Sequence, residues 1–422
     1  MLLNSLNAKP VTLWGGGREG QAAKAFLEKH FPSCPVRIVE DPLTEPLSGI
    51  VVKSPGISLY RPEIRDADAV FTSGTNLFLE LCYASAKRPF LIGVTGTKGK
   101  STTSSLIAHL LKAQGKRVAL GGNIGFPVIR YADEKDALDV VVDEISSYQA
   151  ADLQFSFDVS VVLNLYPEHI DWHKTHDRYY RDKLNILTHR RPGQKAVLNA
   201  EDPRTEEYLP APQEAVYFNA PEGIHEADGW FWEGTRRLFE TSAVPLTGEH
   251  NLKNVCAALT AVRLAGGDPE ACAEGLKTFC PLPHRLQPAG VKKGVRFIND
   301  SISTTPETAV AALKAFAPSR IILIAGGYDR QQDYRALAAF VAQGGAAAVV
   351  TLPPTGARLA EDIRRAGGSA HETADMAEAV QTAFGLAREG DVVLLSPASP
   401  SYGIYRNFEQ RGDIFAACVE NL

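Results

Sequence analysis

Cysteine is scarce in this sequence. Its 422 residues hold six, at Cys34, Cys82, Cys256, Cys272, Cys280 and Cys418, and none forms a C-x-x-C pair. That scatter argues against a zinc site or a disulfide framework and points to a reducing, cytoplasmic setting. Basic charge is not in excess either: 44 Lys and Arg stand against 49 Asp and Glu, a net charge of −5, which leaves no footprint for nucleic acid. No apolar run approaches the roughly 18 residues a membrane span requires. Residues 1–10 lack the charged and apolar regions of a secretion signal. Internal repeats and low-complexity tracts are missing as well. What remains is ordinary globular composition, 45% hydrophobic. At about 150 residues per domain the length suggests about three domains.

Short β-rich runs alternate with helical patterns along most of the chain. Residues 11–14, 36–39, 50–52 and 69–72 read as buried strands, and Ala22, Ala23, Phe26 and Leu27 give 21–30 a helical spacing. A second series of strands falls at 90–95, 118–120, 140–144 and 159–163. A third falls at 320–325, 347–352 and 391–396, with amphipathic helices expected at 335–343 and 374–388. Such alternation predicts α/β architecture with parallel sheets covered by helices. Ala86-Lys87-Arg88-Pro89 is a candidate linker. Cys280-Pro281-Leu282-Pro283 is the strongest later punctuation, since its prolines cannot sit within a helix. The turn-rich, aromatic stretch 210–247 reads as a small antiparallel insertion.

The most informative stretch is Val94-Thr95-Gly96-Thr97-Lys98-Gly99-Lys100-Ser101-Thr102, between the apolar strand 90–95 and a helix expected at 103–112 with Leu106, Ile107, Leu110 and Leu111 on one stripe. A strand, a Gly-rich turn and a helix N-terminus present backbone N–H groups to phosphate oxygens. Lys100 would reach the β/γ-phosphates and Ser101 or Thr102 would hold Mg²⁺. The usual loop has glycine where Val94 stands, so this is either a chance Gly-Lys-Ser or a distinct subclass, and its flanks favour the subclass. A second cluster, Gly15-Gly16-Gly17-Arg18-Glu19-Gly20, follows the first strand with G-x-G-x-x-G spacing. Glu40 lies about 20 residues further on, as in a dinucleotide fingerprint; a tight packing turn is the alternative. Two nucleotide sites in one chain suggest ATP and a nucleotide-bearing substrate.

Further motifs follow in order: Gly121-Gly122-Asn123-Ile124-Gly125, Glu144-Ile145-Ser146-Ser147-Tyr148-Gln149, Asn164-Leu165-Tyr166-Pro167-Glu168-His169-Ile170-Asp171, Lys183, Gly248-Glu249-His250-Asn251-Leu252-Lys253-Asn254, Pro283-His284-Arg285 and Asn299-Asp300-Ser301. With the T-G-T-K-G-K-S-T loop, this series resembles the Mur ligase family, ATP-dependent amino-acid-adding enzymes of peptidoglycan precursor synthesis, over nearly the whole chain. That family's form of the phosphate loop accounts for Val94. Within the family the glutamate-adding pattern is echoed by Ser54-Pro55-Gly56-Ile57, Ser396-Pro397-Ala398 and Asn407-Phe408-Glu409-Gln410-Arg411-Gly412.

The resemblance implies three domains: a Rossmann-like UDP-substrate domain at 1–88, a central P-loop ATP-binding α/β domain at 89–288, and a Rossmann-like glutamate-binding domain at 289–422. It implies ligation of glutamate to UDP-N-acetylmuramoyl-L-alanine through an acyl phosphate, with ATP and Mg²⁺, by a cytoplasmic protein expected to act as a monomer. Lys100, Lys183, Glu144 and His169 match catalytic positions. Ser101, Thr102, Glu144, His169 and, once carbamylated, Lys183 match the metal positions. Gly96, Thr97, Lys98, Gly99, Lys100, Ser101, Thr102, Asn251, Arg285 and Asp300 match the ATP contacts; His250 or Asn254 could instead cap a helix. Gly17, Arg18 and Glu19 would face the diphosphate and Glu40 or Asp41 the uracil, with Ser54, Gly56 and Asn123 also on the UDP-substrate. Arg330, Ser401 and Phe408 match the glutamate contacts. Because ATP and glutamate contacts fall in different domains, a closure step is expected.

The match departs from the family at two places. After Asn-Asp-Ser the family has Lys-Ala-Thr-Asn, whereas this chain has Ile302-Ser303-Thr304-Thr305, which removes a cation near the incoming amino acid. Thr75-Asn76 stands where an Asp-Ile-Glu run is common. These departures resemble a branch that adds L-glutamate. D-glutamate is the default expectation and L-glutamate the alternative. A folylpolyglutamate synthetase-like ligase shares the loop and the lysine but lacks a UDP domain. A non-ligase ATP-driven regulator would leave Arg285, Asp300 and the C-terminal motifs without a role.

Overall fold

The computed structural model describes residues 2–6, 9–209, 215–246, 248–280 and 283–422. Two compact units are present, Met1–Phe279 and Cys280–Leu422. Pro281, Leu282, residues 210–214 and Thr247, named above as punctuation or insertion, lie outside the described residues.

The first unit carries two sheets. In the smaller one, β1 (Val11–Trp14), β2 (Val36–Val39), β3 (Ser48–Lys53) and β4 (Asp68–Thr72) run parallel in the order β2-β1-β3-β4. All four residues of β1 are buried, as expected of a parallel strand covered on both faces. The helix Arg18–His30 packs inward through Gly20, Ala23, Phe26 and Leu27. The crevice at the carboxyl ends of β1 and β3, where connections diverge to opposite sides, is where ligands bind in open α/β sheets.

Among the described residues the larger sheet has nine strands: β5 (Phe90–Thr95), β6 (Val118–Gly122), β7 (Val140–Glu144), β8 (Val159–Val162), β9 (Lys195–Asn199), β10 (Ala215–Phe218), β11 (Ile224–Ala227), β12 (Trp230–Glu233) and β13 (Arg236–Glu240). Their order is β13-β12-β11-β10-β9-β8-β5-β7-β6. The expected antiparallel segment appears as β11–β13, an extension of this sheet rather than a separate body. Register sets Glu144, the last residue of β7, between Val94 and Gly122. The helix Lys100–Ala113 buries Leu106, Ile107, Leu110 and Leu111, and beside it lies the largely buried helix Glu249–Leu264.

The second unit holds β14 (Gln287–Lys292), β15 (Val295–Asn299), β16 (Ile321–Gly326), β17 (Ala348–Leu352), β18 (Ala370–Glu372) and β19 (Val392–Leu395), in the order β14-β15-β19-β16-β17-β18. Among the described residues only β14 is antiparallel to its neighbour. The helix expected at 335–343 ends at Phe340 and widens into a π turn over Val341–Gly345, where Gly344 takes φ 92° and stops it. The turns after β15, β16 and β19 gather at one end of the sheet and carry Asp300, Arg330 and Ser401.

Candidate active site

The phosphate loop leaves β5 and is held from below. Thr97 N donates to the Asn164 carbonyl at 2.8 Å, and Lys98 N donates to Asn164 Oδ1 at 2.8 Å. Thr97 Oγ1 lies 2.7 Å from the Tyr179 hydroxyl and accepts from Tyr166 N at 2.8 Å. Gly99 has φ +84°, and a β-carbon there would collide with the Asn254 amide, so this turn tolerates glycine alone. Asn254 in turn donates to Asn251 Oδ1 at 3.1 Å, and both are buried. Lys98 pairs with Glu168. Ser101 and Thr102 open the helix Lys100–Ala113 with the loop's N–H groups, a cradle suited to phosphate.

Two lysines meet inside this loop. Lys100 Nζ donates to the carbonyls of Gly96 and Thr97, each at 3.0 Å, and Lys183 Nζ donates to that of Gly96 at 3.0 Å. Lys183 projects from the helix His176–Leu184 and is 2% exposed. Burial pushes its ammonium well below the ordinary lysine range, and the neighbouring Lys100 charge adds to this against Glu168 and Glu144. A lysine biased towards its neutral amine is the form that takes up carbon dioxide as a carbamate.

Glu144 is fully buried. Its Oε1 accepts from Asn123 Nδ2 at 2.7 Å, while Oε2 has no hydrogen-bond partner among the described residues. Such an oxygen calls for a cation or a donor. His169 stands in the left-handed region at φ 55°, its ring 5.0 Å from that of Tyr148. Desolvation, then the cations of Lys183 and Lys100, push its imidazole below the ordinary value against the pull of Glu168, which favours the ligating neutral form. Among the described residues no three His, Cys, Asp or Glu side chains form a metal cage by themselves. Carboxylate and imidazole donors near a phosphate cradle fit Mg²⁺, which fills its remaining positions with substrate phosphates and water.

The crevice of the first sheet collects much of the expected UDP-substrate set. Gly17 is open to space, Arg18 Nη1 donates to the Gly125 carbonyl at 2.9 Å, and Ser54 Oγ donates to the Gly15 carbonyl at 3.1 Å. Glu19 accepts from Gln149 Nε2 at 3.3 Å and lines a small cavity with Lys53, Ser54, Ser73 and Thr75. Burial pushes the Glu19 carboxyl up to about 7. Glu40 accepts from Gly16 N at 2.6 Å, while Asp41 accepts from Trp14 Nε1 at 3.3 Å and from Arg61 at 2.6 Å. Gly56 accepts from Trp172 Nε1 at 3.1 Å, and Asn123 turns towards Glu144.

In the second unit, Asp300 accepts from Leu286 N at 3.2 Å and from Ser396 Oγ at 2.8 Å. Burial lifts its carboxyl to about 6, with Arg285 among the groups opposing the rise. The buried Nε of Arg285 has no partner among the described residues, leaving a donor for a ligand. The Arg330 guanidinium lies 5.4 Å from the Tyr402 ring, and both line an open depression with Tyr328, Asp329 and Gln331. Ser401 is buried, and the Phe408 carbonyl accepts from Ser301 Oγ at 2.8 Å.

Two residues escaped sequence reasoning. Arg411 is fully buried and donates to Ser301 Oγ at 3.0 Å, the Ser301 carbonyl at 2.7 Å and the Ser399 carbonyl at 2.9 Å, tying the Asp300 turn to the Ser401 turn. Burial pushes its guanidinium down to about 10. Its one sequence signal was its place in Asn-Phe-Glu-Gln-Arg-Gly. Asp143 is buried with both oxygens unpartnered among the described residues; burial, then Glu19 and Glu144, raise its carboxyl well above the ordinary range.

A phosphate cradle with two lysines and a half-satisfied carboxylate, with a separate depression that carries Arg330, fits the class of nucleotide-dependent ligases. Residues 94–262 match the Mur ligase middle domain, and residues 284–399 match the Mur ligase, glutamate ligase domain. The UDP-N-acetylmuramoyl-L-alanine--L-glutamate ligase of Xanthomonas campestris pv. campestris (strain 8004) is 40% identical over 99% of this chain and 96% of its own length. The enzyme of that name from Xylella fastidiosa (strain 9a5c) is 37% identical over the same shares. The fold is shared with MurF ligase from Thermotoga maritima in complex with ADP (TM-score 0.63, 19% identity, 98% of this chain and 95% of that one). It is also shared with E. coli FolC in complex with DHPP and ADP (TM-score 0.62, 17% identity, 95% and 98%). The chain belongs to the Mur ligase family and is an ATP-dependent amino-acid ligase.

Proposed function

We propose that this enzyme joins L-glutamate to the alanyl carboxylate of UDP-N-acetylmuramoyl-L-alanine at the expense of ATP, in peptidoglycan precursor synthesis in the cytoplasm. The full-length likeness to relatives named for that reaction carries the reading. It favours L-glutamate, the alternative of the sequence reading, over the D-glutamate default, and it agrees with Ile302 standing where a lysine is usual. Among the described residues no helix is long and apolar enough to cross a membrane. A division of labour by sheet follows, with UDP-substrate on 1–88, ATP on the central part and glutamate on the last part. The start of β14 at Gln287 supports beginning the last part a few residues before 289.

A carboxylate and an amine do not condense unaided at neutral pH. A carboxylate oxygen of the alanyl group attacks the γ-phosphorus, ADP leaves, and an acyl phosphate forms. The glutamate amine then attacks the acyl carbon, phosphate departs, and the amine gives up a proton. The first step brings two anions together, so cations must meet there. Lys100 would hold the β/γ-phosphates, and the loop's N–H groups the remaining oxygens. Bound magnesium would supply charge neutralisation between these oxygens; Ser101 or Thr102, Glu144, His169 and Lys183 as its carbamate would hold it. Arg285 and Asp300 would take phosphate and ribose, and Arg330, Ser401 and Phe408 the glutamate. The test is phosphate release with D- and L-glutamate side by side. Turnover with L-glutamate that also requires the UDP-substrate supports the reading, and ATP hydrolysis indifferent to both substrates would overturn it.

A further inference from the structure

The candidate ligands Glu144, His169 and Lys183 lie on three separate stretches of chain, and one imidazole touches the immediate neighbourhood of all three. His173 is fully buried. Its Nδ1 lies 2.6 Å from Asp182 Oδ2 and its Nε2 lies 3.0 Å from Ser147 Oγ. Asp182 directly precedes Lys183, Ser147 follows Glu144 by three positions, and His173 closes the single helical turn Ile170–His173 that His169 begins. The other oxygen of Asp182 accepts from the Tyr60 hydroxyl at 2.8 Å. Tyr60 belongs to the part of the chain that carries the first sheet. The four side chains therefore form one continuous hydrogen-bonded series, Tyr60–Asp182–His173–Ser147.

Serine, histidine and aspartate in this order have the geometry of a hydrolase triad. Ser147, however, is only 3% exposed, at the first turn of the short helix Ser147–Ala150, and no acyl group can reach it. The chemistry that remains is orientation. When Nδ1–H is given to the carboxylate, Nε2 accepts from the serine hydroxyl and every polar atom of the imidazole is used. The surroundings hold the helical turn from both sides. Trp172 is stacked on Tyr148 at 4.9 Å, its carbonyl accepts from Ser58 Oγ at 2.7 Å, and its indole donates to Gly56.

We propose that His173 is a positioning residue for the ligase reaction: through this buried series it sets where Glu144, His169 and Lys183 stand around the phosphate loop, and it couples their placement to the substrate lobe through Tyr60. The inference rests on the ligase reading given above. Outer partners that orient metal-binding groups typically contribute about 10–100-fold to metal affinity or activity.

The test uses the full-length enzyme with Tyr60→Phe, Ser147→Ala, their double variant and His173→Asn. Magnesium-dependent ADP binding by calorimetry, kcat and each KM are measured beside the melting temperature. Both single variants at the ends, which remove one hydroxyl each, should weaken magnesium-dependent ADP binding and lower kcat by about tenfold or more, with the glutamate KM nearly unchanged. The double variant should cost less than the product of the two singles, because they act on one series. Singles that shift only the melting temperature, or that combine multiplicatively, would overturn the inference. If His173→Asn fails to fold, the end variants still decide. A wild type without magnesium-dependent ADP binding would instead overturn the ligase reading, and the inference with it.

Discussion

Lys100 and Lys183 donate to the same backbone oxygen, the carbonyl of Gly96, each at 3.0 Å. Two lysine side chains 83 positions apart in sequence are thus held at one point of the phosphate loop, where burial and their mutual charge both disfavour protonation of Lys183. Only an anion brought between them, or loss of one charge, relieves their repulsion. Under the proposed reaction, bound ATP would supply the first and a carbamate on Lys183 the second.

Lys100→Ala should abolish turnover while leaving the fold intact, since the side chain contributes charge to the loop rather than core packing. ADP formation in the presence of all substrates is the measurement. Loss of about a thousandfold or more is expected for a group that stabilises transferring phosphate. Activity near that of the wild type would remove Lys100 from the phosphates.

Lys183→Ala should be inactive and regain activity when short-chain carboxylic acids are added, because a carboxylate in the vacated space replaces the carbamate oxygens. Rescue should saturate with the acid and depend on its length. A variant that stays inactive at every acid concentration would argue against a carbamate at this position.

Arg330→Ala should raise the glutamate KM by about 10–100-fold, the cost of about 1.5–3 kcal/mol for a hydrogen bond to a charged group. The KM for ATP should change far less. Equal effects on the two would place Arg330 outside the glutamate depression.

The pH dependence of stability offers a check on Asp300. Burial raises its carboxyl from 3.8 to about 6. Between these values the native state binds more protons than the unfolded chain, so stability falls as pH rises through this window and levels off above it. A shift of that size corresponds to about 3 kcal/mol. Asp300→Asn, which stays neutral throughout, should flatten the slope between about pH 4 and about pH 6 in denaturant unfolding. Parallel curves for the two proteins would show that Asp300 is ionised in the native state across the window.

Sequence reasoning located the strands Val11–Trp14, Val36–Val39, Phe90–Thr95 and Val140–Glu144 at the bounds the structure has, because each is a short apolar run closed by glycine, proline or charge. It was less accurate where the cue was weaker. The helix after the phosphate loop starts at Lys100 rather than 103, since the glycine turn itself forms the helix start. The edge strands Gln287–Lys292 and Ala370–Glu372 went unnoticed, being half polar and short. Of the candidate site, the loop residues were legible because a phosphate cradle is a local arrangement of glycine, lysine and hydroxyl side chains.

By itself, then, the sequence determined the α/β class, the place of the phosphate loop and the order of the family motifs, all of which rest on residues within a few positions of one another. The tertiary structure decided which of those motifs touch. The order β8-β5-β7-β6 sets Glu144 against Val94 and Gly122, and it carries Asn123 to one oxygen of Glu144 while leaving the other without a partner among the described residues. Packing of the helix His176–Leu184 brings Lys183 to Gly96 and Asp182 to His173. Burial then changes what these groups are. Lys183 inclines to a free amine and Asp300 titrates near 6, because a low-dielectric interior disfavours charge, and no spacing of residues along the chain records that.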